Sequence, residues 1–185
     1  YCQEIACGAP RLPFYFYHIP AFNGVYLSMT EFLEAVDGRI SNFAGIKYTY
    51  ENLYEYNQCR LYKDGKFDML HGQDETLLPC LAMGGARGGI GGTTNYNGRT
   101  LVGILDAWKS GDLERARDLQ NFAQQVINVI CHYRGNIVAG KRIMKLLGLD
   151  LGKNRIPFRN MTEEEESTMR AELEEIHFFD RCNKF

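Results

Sequence analysis

The chain has 185 residues, 45% hydrophobic and 24% charged, with a formal net charge of −2; these are ordinary values for a soluble globular domain. Near-neutrality gives no electrostatic reason to expect a nucleic acid or an anionic membrane as partner. No apolar run approaches the roughly 18 residues that a spanning helix needs.

In chain order, Tyr1-Cys2-Gln3-Glu4-Ile5-Ala6 carries neither an initiator methionine nor a signal-peptide pattern. It reads as the tail of a helix already in progress, as in a piece of a longer protein. Four strand-then-helix units follow. The first is strand 12–17 with helix 28–36, where Ser28 or Thr30 is the cap. The second is strand 43–48 with helix 50–60. The third is the short run Phe67-Asp68-Met69-Leu70-His71 with helix 74–83, and the fourth is Gly88-Gly89-Ile90-Gly91 with helix 98–109. Such alternation predicts parallel strands and crossover helices, an α/β fold.

The strands then stop. Leu113, Ala116, Leu119, Ala123, Val126, Ile127 and Ile130 recur at helical spacing, predicting one long amphipathic helix over 112–133. Helices at 136–148 and 163–178 follow, the last with Thr162 as cap and four glutamates in its first turn, a solvated helix start. Four units followed by helices amount to half of an eight-stranded α/β barrel, which usually needs about 250 residues; a smaller open sheet is the alternative. The division expected is 1–110 for the half-barrel and 111–185 for a helical extension packed on it. Six scattered cysteines (Cys2, Cys7, Cys59, Cys80, Cys131, Cys182) have no CxxC spacing and read as free intracellular thiols.

The residues that invite chemistry fall at the carboxyl ends of these strands, the edge where parallel α/β folds bind ligands. Lys47 lies within the apolar run Phe43-Ala44-Gly45-Ile46-Lys47-Tyr48-Thr49, and Tyr17 ends the first strand. An interior lysine is rare, and burial favours the neutral, nucleophilic amine. Tyrosine and lysine at adjacent strand ends suit an acid/base paired with an amine nucleophile. Each also has a plainer reading. Tyr17 is equally a core aromatic, Lys47 a strand-end lysine reaching water, and Asp74-Glu75 a helix start that favours negative charge. The glycine cluster 84–92 has no GK[ST] ending and no GxGxxG, which argues against a nucleotide loop. His18 reads as structural, orienting the turn before Pro20, without metal-ligand spacing around it.

Taken in order, Tyr17-His18-Ile19-Pro20-Ala21-Phe22-Asn23-Gly24-Val25, Gly45-Ile46-Lys47-Tyr48-Thr49, Gly72-Gln73-Asp74-Glu75 and Gly89-Ile90-Gly91-Gly92-Thr93-Thr94-Asn95 closely resemble the N-acetylneuraminate lyase family. That family consists of pyruvate-dependent class I aldolases built on the TIM barrel. The resemblance runs from about residue 10 to the C-terminal helices and covers only the second half of a family member. It implies a Schiff-base mechanism without cofactor or metal. Lys47 matches the lysine that attacks the keto carbon of the open-chain sugar acid. Tyr17 matches the tyrosine that relays protons, and the products are pyruvate and N-acetylmannosamine. Thr49, Gly72, Asp74 and Glu75 match substrate-binding positions, the two carboxylates accepting hydrogen bonds from the polyol. Small-molecule substrates, a homotetramer and a cytoplasmic location come with the same resemblance.

Two departures stand out. Gly92 occupies the place of a serine that touches the polyol in many members, with Thr93 or Thr94 as replacements for its hydroxyl. The family's Gly-Thr-Thr-Gly-Glu-like loop, which holds the substrate carboxylate, has no counterpart in these residues. The sister enzyme dihydrodipicolinate synthase resembles the chain less, because it typically has arginine where Phe22 stands and usually lacks the Asp-Glu pair. A catalytically inert half-barrel, acting only in assembly, is the reading from another class.

Overall fold

A computed structural model of the chain describes residues 1–85 and 88–185. Ala86 and Arg87, in the middle of the glycine cluster, lie outside the described residues. The chain divides into two compact units, one of Tyr1–Gln73 with Pro79–Ile90, the other of Asp74–Leu78 with Gly91–Phe185. No helix among the described residues is long and apolar enough to cross a membrane.

The first unit opens with helix α1 (Cys2–Cys7) and continues through β1 (Phe14–His18), the short α2 (Pro20–Asn23), α3 (Met29–Val36), β2 (Phe43–Tyr48), α4 (Leu53–Leu61) and β3 (Asp68–His71). The strands form a parallel sheet in the order β1-β2-β3. Side chains alternate across it with the strand period of two. Ile46, Tyr48, Met69 and His71 are buried beside Met29, Leu33 and Val36 of α3 and Tyr56 and Cys59 of α4. Each fully buried side chain of that size contributes about 1.5–3 kcal/mol. Tyr15 and Tyr17 on the opposite face stay 37% and 45% exposed. There the Tyr15 hydroxyl reaches past Gly45 to donate to Asp68 Oδ2 at 3.0 Å.

Local chemistry sets the element ends. Ser28, rather than Thr30, caps α3 by accepting from the Glu31 amide, and Asn52 caps α4 by accepting from the Glu55 amide. The Asn42 carboxamide donates to the carbonyls of Ala6, Ala9 and Leu12, organising the entry into β1. The predicted fourth strand is reduced to an isolated parallel bridge between His71 and Gly89. Glycine has no side chain to pack on a sheet and weakens a strand interior, so a run of glycines pairs only briefly.

The second unit is helical apart from its turns: α6 (Thr94–Ser110), α7 (Leu113–His132), α8 (Gly135–Leu146), α9 (Glu163–Glu175) and α10 (Phe178–Arg181), while α5 (Leu77–Ala82) straddles the division of the chain. Ala116, Ala123, Val126 and Ile130 of the predicted stripe on α7 are buried, whereas Leu113 in the first turn is 49% exposed. Thr162 and Glu165 form a reciprocal capping box at the start of α9. The glutamate run is more than a solvated start: Glu165 is held by both terminal guanidinium nitrogens of Arg134 at 2.8 and 2.9 Å. The single helix expected over 163–178 is broken at His177, whose left-handed φ of 56° redirects the chain so that Phe178 is buried. All six cysteines are free thiols.

Candidate active site

Tyr17 and Lys47 are register partners, each one residue before the end of its strand. The Lys47 ammonium lies 3.9 Å from the centroid of the Tyr17 ring. At this degree of exposure a cation–π contact contributes about 0.5–1 kcal/mol. Lys47 is half-buried rather than interior. Strand periodicity is the reason: Ile46 and Tyr48 take the helix-covered face, which sends Lys47 to the other.

Thr49 continues the ladder past the strand end, its amide donating to the His18 carbonyl at 2.8 Å. Gly72 does the same one strand over, its amide donating to the Tyr48 carbonyl at 2.8 Å. The two are packed so closely that a β-carbon at 72 would stand 1.9 Å from Thr49 Oγ1. That hydroxyl oxygen is buried without a hydrogen-bond partner among the described residues. The sheet edge therefore gathers Tyr17, Lys47, Thr49 and Gly72, with the buried Thr49 hydroxyl uncommitted among the described residues.

A polar cluster supports β2 from its covered face. The single Tyr48 hydroxyl proton is shared between two acceptors, Glu55 Oε2 at 2.8 Å and the Asn52 carbonyl at 3.0 Å. The other Glu55 oxygen accepts from the Met29 amide at 2.9 Å, tying the first turn of α3 to the same carboxylate. Burial, reinforced by that carboxylate, holds the Tyr48 phenol well above the usual tyrosine range. His18, 3% exposed, packs its ring against Tyr48 and Tyr50 at 5.0 and 5.7 Å. Burial lowers its pKa, partly opposed by Glu55.

Asp74, Glu75 and Gly92 belong to the second unit. Asp74 is 6% exposed, and its Oδ2 accepts from both the amide and the hydroxyl of Thr93, at 2.9 and 2.5 Å. This brace starts α6 at Thr94, four residues ahead of the sequence expectation. It also commits the Thr93 hydroxyl proton to Asp74, whereas Thr94 is exposed. Glu75 is half-buried, and its carbonyl accepts from Gln124 at 2.8 Å. Gln120, buried on α7, donates to the Asp74 carbonyl and accepts from the Leu78 amide, clamping the turn between them. Gly92 is exposed; a β-carbon there would stand 2.2 Å from Asn136 Nδ2.

Glu55, Gln120 and Asn136 escaped the sequence reading. Two of them had a visible sign: Glu55 follows the Asn52 cap by three residues, and Gln120 interrupts an apolar helix face.

Residues 1–176 match the dihydrodipicolinate synthetase family. The chain is 34% identical over 180 residues to the N-acetylneuraminate lyases of Rattus norvegicus and of Homo sapiens, covering 96% of itself and 56% of each relative. Among solved structures it is similar to the Proteus mirabilis N-acetylneuraminate lyase, at 32% identity and TM-score 0.90 over 96% of this chain and 59% of that one. The Aliivibrio salmonicida N-acetylneuraminate lyase gives 35% and 0.89, with 96% and 58% covered. The chain thus spans a little over half the length of the curated relatives it matches, as a partial barrel of three parallel strands with C-terminal helices. It belongs to the dihydrodipicolinate synthetase family.

Proposed function

We propose that the protein is a class I aldolase that reversibly cleaves N-acetylneuraminate to pyruvate and N-acetylmannosamine. The observation that carries this reading is the Tyr17–Lys47 pair on adjacent parallel strands, with the amine 3.9 Å from the phenol ring. In this reading the free amine of Lys47 adds to the keto carbon of the open-chain substrate, and loss of water leaves an iminium. Tyr17 takes the proton from the hydroxyl on the carbon to be released. The carbon–carbon bond then breaks, its electron pair passing into the iminium to form an enamine while the aldehyde leaves. Tyr17 returns the proton to the enamine carbon, and water hydrolyses the iminium to pyruvate and free Lys47.

Thr49, with its unpartnered hydroxyl, Gly72, Asp74, Glu75 and Gly92 are the proposed substrate-binding positions. The carboxylate of Asp74 already accepts two hydrogen bonds from Thr93. Its proposed part is therefore to brace the loop on which the neighbouring positions stand. A homotetramer in the cytoplasm belongs to the same proposal.

Borohydride reduction in the presence of pyruvate tests it. The expected product is a mass increment on the peptide containing Lys47, absent from Lys47→Arg. Well-folded protein that gains no adduct refutes the amine's role. The exposure of Tyr15 and Tyr17 favours a second reading, in which this length of chain lacks turnover and serves assembly alone. Adduct formation without lyase turnover is its signature.

A further inference from the structure

The space next to Gly92 is filled from another helix. Asn136, in the first turn of α8, places its carboxamide where a side chain on residue 92 would go: the β-carbon of any such side chain would meet Asn136 Nδ2 at 2.2 Å and its Cγ at 2.6 Å. A second glycine makes room on the far side, since a β-carbon at Gly140 would approach Asn136 Oδ1 to 2.9 Å.

The oxygen end of the amide meets Tyr96. That phenol is 1% exposed, and its hydroxyl meets Asn136 Oδ1 at 2.7 Å. The hydroxyl donates its proton to that oxygen. With Oδ1 accepting there, the NH2 group lies on the side of Gly92. No hydrogen bond engages Nδ2 among the described residues, and the residue is half-buried rather than enclosed. A cavity of about 290 Å³, lined in part by Asn95, Asn136, Ile137, Lys141, Met144 and Leu151, opens beside it.

We propose that Asn136 is a specificity-determining residue, whose free Nδ2–H donors hydrogen-bond a hydroxyl of the polyol substrate in place of a side chain on residue 92. The inference rests on the lyase reading above and adds to it a residue from α8. A serine at 92 offers a hydroxyl that both donates and accepts, whereas an NH2 group only donates. The polyol oxygen at this position is therefore an acceptor toward the protein, and its own proton must be taken up elsewhere.

The test uses Asn136→Asp, Asn136→Ala, Gly92→Ser and the double variant Gly92→Ser/Asn136→Ala. Asn136→Asp keeps the acceptor for Tyr96 and removes the donor, which separates recognition from support of the fold. The KM for N-acetylneuraminate is expected to rise about tenfold in both Asn136 variants, the equivalent of one net hydrogen bond, with kcat changed less. Gly92→Ser is expected to bind poorly because its side chain collides with the carboxamide, and the double variant to recover much of the loss. A KM within twofold of the parent in both Asn136 variants overturns the assignment. Pyruvate has no polyol, so its borohydride adduct reports on the Lys47 chemistry separately, and an adduct-free parent refutes the lyase reading instead. In that event N-acetylmannosamine binding by NMR titration decides for Asn136: equal affinity, or none, in parent and Asn136→Asp overturns the proposal.

Discussion

Gly72→Ala is the sharpest probe of the sheet edge. The added methyl carbon would lie 1.9 Å from Thr49 Oγ1, 3.0 Å from Thr49 Cβ and 3.0 Å from the Tyr48 carbonyl oxygen. Rotating the Thr49 side chain relieves the first contact and leaves the other two. Moving the strands apart relieves all three at the expense of the 2.8 Å bond from the Gly72 amide to the Tyr48 carbonyl. Overpacking of this kind costs about 1–3 kcal/mol. In a chain of this size that corresponds to roughly 3–9 °C in melting temperature, at about 3 °C per kcal/mol. Differential scanning calorimetry of the parent, Gly72→Ala, Thr49→Ala and the double variant gives the coupling between the two positions. The double variant is expected to lose less stability than the sum of the singles, because removing Oγ1 removes the closest contact. Since Tyr48 adjoins Lys47, pyruvate trapping should fall in Gly72→Ala and partly return in the double. A Gly72→Ala protein that melts within 1 °C of the parent, or strictly additive losses, would show that residue 72 is not held against Thr49 as described.

Two further outcomes follow from the polar groups. Tyr48→Phe leaves Glu55 Oε2 without its buried phenol donor and should cost about 1–3 kcal/mol by urea denaturation; an unchanged midpoint refutes the tie between β2 and α4. Glu165 is held at a pKa of about 2 by the Arg134 guanidinium and by the Thr162 amide. Its folded pKa lies below the ordinary carboxylate value, so its contribution is complete above about 4.5 and disappears as pH falls toward 2. Glu165→Gln should thus be less stable than the parent at pH 7 and match it near pH 2, and a gap that stays constant across that range contradicts the pairing.

The three strands were legible because their apolar residues are dense and bounded by turns, and the helices because caps such as Ser28, Asn52 and Thr162 precede periodic faces. What a linear reading misses is which side of a strand meets helices. Lys47 sits amid apolar neighbours in sequence, yet Ile46 and Tyr48 point the other way in space. The fourth strand failed for a related reason: its residues suggest a strand only by their place in the alternation, and glycine pairs weakly. Contacts between distant positions left no local trace. Nothing near Asp74 announces that its carboxylate braces Thr93, and nothing near Gly92 announces that Asn136, forty-four positions on, occupies the volume beside it. Those are matters of packing between elements, which a one-dimensional pattern does not encode.

The bond from Tyr15 to Asp68 has a mechanical consequence. Because the central strand carries no side chain at residue 45, the two outer strands are stapled to each other directly across it. Sliding β1 lengthwise against β2, the motion that would carry the phenol ring off the ammonium one rung above, has to stretch that staple. The amine and its aromatic neighbour therefore travel together as a raft, and their mutual placement does not depend on the loops around them.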